Sequence, residues 1–282
     1  MTPVGKALWF IESHLGTELT LDDIAAAAGV TRYHVTRAFG AATGRSVMRY
    51  VRERRLSRAA LLLREGAPDI LAVALDAGYG SHEAFTRAFR DHFAATPEAV
   101  RAQRSLDRCR FVEPIAMTET ILADLAPPRF ETVAPMTIAG LRERYSCESS
   151  KAIPSQWLRL QPYLGHVDGQ RGKVAYGVRF NPDDDGDFDY LCGVEVADLD
   201  RLPQGFSHVR IPRQLYAVFA HGGHISTIRS VVTSIWSHWL PESGLETAEA
   251  PDFERYGPEF DPRTGNGGFE IWVPVRSSTM KG

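Results

Sequence analysis

Cysteine is scarce: Cys109, Cys147 and Cys192 are the only three in a chain of 282 residues. They lie far apart and fall into no metal or redox spacing, so buried or free thiols are expected. No apolar run approaches the roughly 20 residues that cross a bilayer. The opening segment, MTPVGKALWFIESH, has no basic flank, uninterrupted apolar core or cleavage site of a secretory leader, which points to the cytoplasm and away from membranes. Three chemical motifs fail on inspection. The acidic run Asp183 to Asp187 suggests a calcium loop, but the required glycine would fall at Phe188 and the closing acid at Val194, so a solvated hairpin turn is expected. His221-Gly222-Gly223-His224 lacks a third ligand or helical spacing, and Ser207-His208 lacks the sharp turn of a hydrolase nucleophile. No metal, cofactor or catalytic residue is therefore expected.

What the chain does contain is a repetition. Thr36-Arg37-Ala38-Phe39 recurs as Thr86-Arg87-Ala88-Phe89. Each copy follows a glycine (Gly29, Gly78) and a hydroxyl residue (Thr31, Ser81), a turn leading into a helix N-cap. An amphipathic, Ala-rich run precedes each glycine, Leu21 to Ala28 and Ile70 to Ala77, so helix, turn and helix are written twice. At 100° per residue, Val35, Ala38 and Phe39 share one face of the first helix, as Phe85, Ala88 and Phe89 do in the second. Tyr33, Thr36 and Arg37, and Glu83, Thr86, Arg87 and Arg90, fall on the opposite, exposed faces. Arginine matches guanine O6/N7 or a phosphate, and threonine reaches a base or a thymine methyl.

Between the copies, Ser46 to Glu65 contains no Gly or Pro and reads as one helix. Twenty residues of helix span about 30 Å, close to the spacing of successive major grooves. Upstream, residues 4 to 15 read as a packing helix. The overall charge of −3 hides an asymmetry: residues 1–110 hold 16 Lys+Arg against 12 Asp+Glu, and the remaining 172 hold 16 against 23. The basic half is the one with the repetition. Its arginines 45, 49, 52, 54, 55 and 58 gather near the start of the connector, some paired to Glu53 and others free to contact phosphate.

Residues 18 to 101 resemble the DNA-binding domain of AraC-type transcription regulators, which has two helix-turn-helix units on a long connector and ends in a TP-x-x-x-R tail, here Thr96 to Arg101. The resemblance implies base contacts at Tyr33, Thr36 and Arg37 in the first unit and at His82, Glu83, Thr86 and Arg87 in the second, with Arg90 on the same exposed face. Thr31, Arg45, Ser81 and Arg101 are the expected phosphate contacts. Glu83 stands where related proteins often carry a neutral amide. An acid there accepts from cytosine N4, repels phosphate, or favours the helix N-terminus.

Beyond a linker at Ser105 to Pro114 the chain turns to β-branched and aromatic runs. Tyr190 to Val196 echoes Phe269 to Val275, each after a Gly- and Asp-containing turn. Helical segments Ser155 to Tyr163 and Ser226 to Leu240 lie upstream, preceded by strands Met136 to Tyr145 and Leu215 to His221. The expected fold is thus an all-α double helix-turn-helix domain, residues 1–108, followed by an α+β domain, residues 115–282. The second domain is two strand-helix-strand-strand repeats with both helices on one face of the sheet. It resembles the GyrI-like effector-binding domain through Ala220 to Gly223, Trp239 to Gly244, Phe253 to Tyr256 and Glu270 to Val275.

In the last strand Phe269, Ile271, Val273 and Val275 share one face, and Glu270, Trp272 and Pro274 the other. A mid-strand acid needs a partner. Either a protein Arg or Tyr satisfies Glu270, or it awaits a cation in a pocket lined by Tyr145, Trp157, Tyr176, Trp236, Tyr256 and Trp272, with Glu254 as the second candidate acid. The resemblance favours the pocket, since GyrI-like domains commonly carry a glutamate on the pocket floor. Double-stranded DNA and a small, hydrophobic, cationic effector are the expected partners, with RNA polymerase a further candidate. Two alternatives stay open: a hydrolase using a pocket Glu and Tyr, and a pocketless dimerisation module.

Overall fold

The computed structural model describes residues 1–106, 111–115 and 123–277. Cys109 and part of the expected linker lie outside the described residues. Seven helices come first: α1 (Pro3–Ser13), α2 (Leu21–Ala28), α3 (Arg32–Thr43), α4 (Val47–Arg64), α5 (Ile70–Asp76), α6 (His82–Phe93) and α7 (Pro97–Gln103). The hydroxyl caps do what the repetition implies. Thr31 accepts the His34 N–H at 3.2 Å and Ser81 that of Ala84 at 3.2 Å. Gly29 ends α2 at φ 73°, a left-handed position that glycine adopts freely. The connector α4 is a single 18-residue helix between Ser46 and Glu65. None of the described helices is long and apolar enough to cross a membrane.

The second half consists of β1 (Arg129–Val133), β2 (Met136–Tyr145), α8 (Ile153–Leu160), β3 (Gln170–Phe180), β4 (Phe188–Val196), β5 (Ser207–Ile211), β6 (Gln214–His221), α9 (Ile228–Ser234), β7 (Leu245–Thr247), β8 (Asp252–Tyr256) and β9 (Phe269–Ser277). The segments β2-α8-β3-β4 and β6-α9-β8-β9 are the two repeats, and they meet edge to edge where β3 pairs β8 in the antiparallel order β1-β6-β9-β8-β3-β4-β2-β5. Both helices cover the same face. Leu160 of α8 packs on Tyr190 and Cys192, and Val231 and Ile235 of the α9 segment pack with Phe219 and Ile271. The other face is buried as well. The sheet curls so that Ile138, Val178, Leu191, Tyr216, Val218, Phe253 and Trp272 form a core of their own.

Two cores divide the helices unequally. Leu56, Leu63, Val73, Phe85, Phe89 and Phe93 form one that is confined to the second helix-turn-helix unit. The first unit has no core to itself: Ile11, Ile24, Phe39 and Tyr50 are continuous with Phe219, Trp236, Ile271 and Val273 of the sheet and α9.

Candidate functional site

On the helix-covered face of the sheet, Asp252, Glu254 and Tyr256 alternate along β8. Gly177 of β3 stands opposite Glu254. A methyl at Gly177 would lie 2.0 Å from the Tyr190 hydroxyl and 2.5 Å from the Glu254 carboxylate, so the missing side chain makes room for both. Tyr190 donates to Glu254 Oε2 at 2.6 Å and Tyr256 donates to the same oxygen at 3.1 Å. Trp157 of α8 donates to the Tyr190 oxygen at 3.0 Å, and its ring meets Tyr256 edge-on at 5.0 Å. Burial pushes the Glu254 carboxyl above its usual range, against the Tyr190 bond, the charge of Arg37 and the Tyr256 bond. The same burial, together with Glu254, raises both phenols well above theirs. The result is a carboxyl group set among three aromatic rings.

The expected pocket residues split across the sheet. Glu254, Tyr256 and Trp157 come together; Tyr145 shares their face but spends its hydroxyl on Glu143 at 2.5 Å. Glu270, the first choice from sequence, points to the opposite face. There it pairs with Arg129 at 2.8 Å and Arg255 at 3.3 Å and accepts from Trp272 Nε1 at 3.0 Å. Tyr176 and Trp272 are on that side too, packed on Phe253. Glu270 shares its face with Trp272 as the alternation implies, and of the two alternatives left open for it, a protein arginine as partner is the one observed. The fold also brings Tyr190 and Asp252 to the helix-covered face, two residues that the sequence does not single out as site candidates. Alternation through Asp252-Phe253-Glu254-Arg255-Tyr256 was the available signal for Asp252; only the fold brings in Tyr190.

Trp236 lies in a π-helical turn, Ile235–Trp239, that continues α9. What it touches is α3. The Trp236 ring meets Tyr33 edge-on at 5.5 Å, and the Arg37 guanidinium lies over it at 5.6 Å. His34 Nε2 bonds the Trp236 carbonyl at 2.6 Å, and Arg37 donates to Asp252 from Nε and a terminal nitrogen at 3.2 and 2.9 Å. The Tyr33 hydroxyl also donates to Asp252, and Thr31 and Thr247 share a 2.9 Å hydrogen bond.

A model of the GyrI-like small molecule binding domain matches residues 126–276, and a helix-turn-helix domain model matches residues 24–103. The chain is an AraC-type transcription regulator of the GyrI-like family. It is 28% identical to the transcriptional regulator Rob of Salmonella typhimurium, covering 95% of this chain and 96% of that one. The right origin-binding protein of Escherichia coli K12 is 27% identical over the same shares. The multiple antibiotic resistance protein MarA of Escherichia coli K12 is 30% identical over 40% of this chain and 88% of its own.

The regulator presents its two recognition helices differently. On α6 the side chains of Glu83, Arg87 and Arg90 are exposed, while Thr86 and His82 are half-buried, with His82 2.9 Å from Glu98. Hydrogen bonds from its own backbone N–H and from Ser81 hold the Glu83 carboxyl below its usual range. On α3 the expected exposed face is covered. Thr36 is buried, and Tyr33 and Arg37 are turned into the sensor, which corrects their expected exposure. Of the expected phosphate contacts, Thr31 and Ser81 cap their helices, Arg45 pairs with Glu53, and Arg101 donates to the Pro68 carbonyl at 3.1 Å.

Proposed function

We propose that the regulator responds to a lipophilic aromatic cation held at Glu254 and reads DNA through both recognition helices, with Tyr33, Thr36 and Arg37 contacting bases in the first unit and Arg87 and its neighbours in the second. The division between reader and sensor is placed at residues 1–108 and 115–282, and the site of action is the cytoplasm, where the DNA is. The observation that carries the reading is the half-buried Glu254 ringed by Tyr190, Tyr256 and Trp157. A carboxylate among aromatic faces favours a cation by charge, and each face adds about 0.5 to 2 kcal/mol.

Isothermal titration of the full chain with tetraphenylphosphonium and with tetraphenylborate, two ions of one shape and opposite charge, tests it. The wild type is expected to prefer the cation and Glu254→Gln to lose roughly tenfold or more of that preference, the worth of one charge-assisted contact. Equal selectivity in both proteins would remove Glu254 from the site. Because the carboxyl is held above its usual range, the cation preference weakens as pH falls through that raised value. Hydrolysis of a bound ester or amide by the wild type, absent in Glu254→Gln, would instead favour an enzyme.

A further inference from the structure

The side chain expected to read DNA from the first unit is seated beside the acid expected to take the effector. Asp252 lies two residues from Glu254 on the same face of β8, and Arg37 donates twice to it while covering the Trp236 ring. The Arg37 side chain keeps 14% of its surface exposed and that of Asp252 keeps 4%. An acidic, aromatic cage that already holds a planar cation has the same chemistry as the proposed effector site. We infer that Arg37 is the resident cation of the effector site, so that the first recognition helix is held against the sensor until an external lipophilic cation takes its place. The inference rests on the assignment of Glu254 given above.

Three features make this seat specific and reversible. The docking surface offers carboxylates where DNA would offer phosphates: Asp184 takes Arg32, Asp185 takes Arg52 at 2.5 Å, and Glu148 takes Arg49 at 3.3 Å. The sensor's surplus of acid is thus turned toward the basic reader. Close approach is built in as well, since Gly40 of α3 lies against Cys147, where a methyl would meet the sulfur at 2.7 Å. Release leaves no orphan charge. Arg179 stands opposite Asp252 in the β3–β8 register, is buried, and has no hydrogen-bond partner for its Nε among the described residues. Burial and then the like charge of Arg37 lower its pKa to about 10. Two guanidinium groups compete for one carboxylate, and when Arg37 leaves, Arg179 remains to neutralise Asp252.

The full chain is titrated with tetraphenylphosphonium, and with a duplex that the full chain has selected from a random-sequence pool, each in the presence and absence of the other. The cation is expected to raise wild-type DNA affinity at least about fivefold, the lower range of ordinary coupling between sites. Asp252→Asn is expected to show that gain without the cation. Arg37→Met is expected to bind the cation at least about fivefold more tightly, because no internal competitor has to leave. If Arg37→Met binds it no more tightly and Asp252→Asn gains no DNA affinity, while Glu254→Gln still loses charge selectivity, the effector site stands and the resident cation is overturned. If Glu254→Gln keeps wild-type selectivity, both fall together. The cation titration of Arg37→Met does not depend on DNA binding, so it decides the question even if Asp252→Asn is poorly folded.

Discussion

The two helix-turn-helix units share a tetrapeptide, a capping scheme and a buried apolar face, yet the structure treats them as different objects. In the second, Phe85, Phe89 and Phe93 of α6 close a core among helices alone, and Arg87 and Arg90 face solvent. In the first, the equivalent apolar face joins the sheet core, and the polar face that carries Arg37 is buried against Trp236 and Asp252. Equal sequence gives equal helices; unequal surroundings decide which is free to read. On the inference drawn above, one unit is a constitutive contact and the other a conditional one.

Breaking the connector tests whether the units act together. Ala59 is buried in the middle of α4, and Ala59→Pro removes a helix hydrogen bond and introduces a clash. A loss of about 3 kcal/mol or more in chemical denaturation is expected and, with the cationic effector present, a footprint on DNA reduced to one unit. A full-length footprint at undiminished affinity would show that the spacing set by α4 is irrelevant.

Truncating the paired arginines sharpens the contrast. Arg87→Ala is expected to cost about 1 to 3 kcal/mol of sequence-specific binding whether or not a cationic effector is present. Arg37→Ala is expected to show a comparable loss only when the effector has freed α3, and little before. Equal losses from both variants without effector would mean that α3 already reads DNA.

The smallest expected effect is one of pH. Burial lowers the His34 pKa below its ordinary 6.5, against the pull of the Trp236 carbonyl. Protons therefore bind the released form of α3 more readily than the docked form, so docking is fully present above the ordinary value and weakens as pH falls from it toward the depressed one. Hydrogen exchange of α3 should accelerate over that window, and His34→Gln should flatten the response; α6, whose core lies among helices, should show no response that His34→Gln removes. An identical profile for both helices would assign the effect to general acid loosening.

The helices were legible because their ends are written locally: Gly29, Thr31, Gly78 and Ser81 each specify a turn or a cap within a few residues. The repeat order of the sheet was legible too, and so was the face that Glu270 occupies. Alternation reports which side chains share a face and says nothing of what lies beyond it. Hence alternation alone points to Glu270 before Glu254, and the arginines 129 and 255 that satisfy Glu270 come from strands it does not reveal. The burial of Arg37 was beyond reach for a related reason. Its partner Asp252 lies 215 residues along the chain, and no local pattern records that a face suited to DNA is equally suited to a carboxylate on another domain.

The connector α4 has a further consequence. Val47, Tyr50 and Val51 belong to the core shared with the sheet, whereas Leu56, Ala59, Ala60 and Leu63 belong to the core of the second unit. The border between cooperative folding units therefore does not coincide with the border between domains; it crosses the middle of one helix. Heat or denaturant should melt the first reader together with the sensor as one block and the second reader as another, so that a chain assembled from two inherited modules comes apart along a seam that neither module contains.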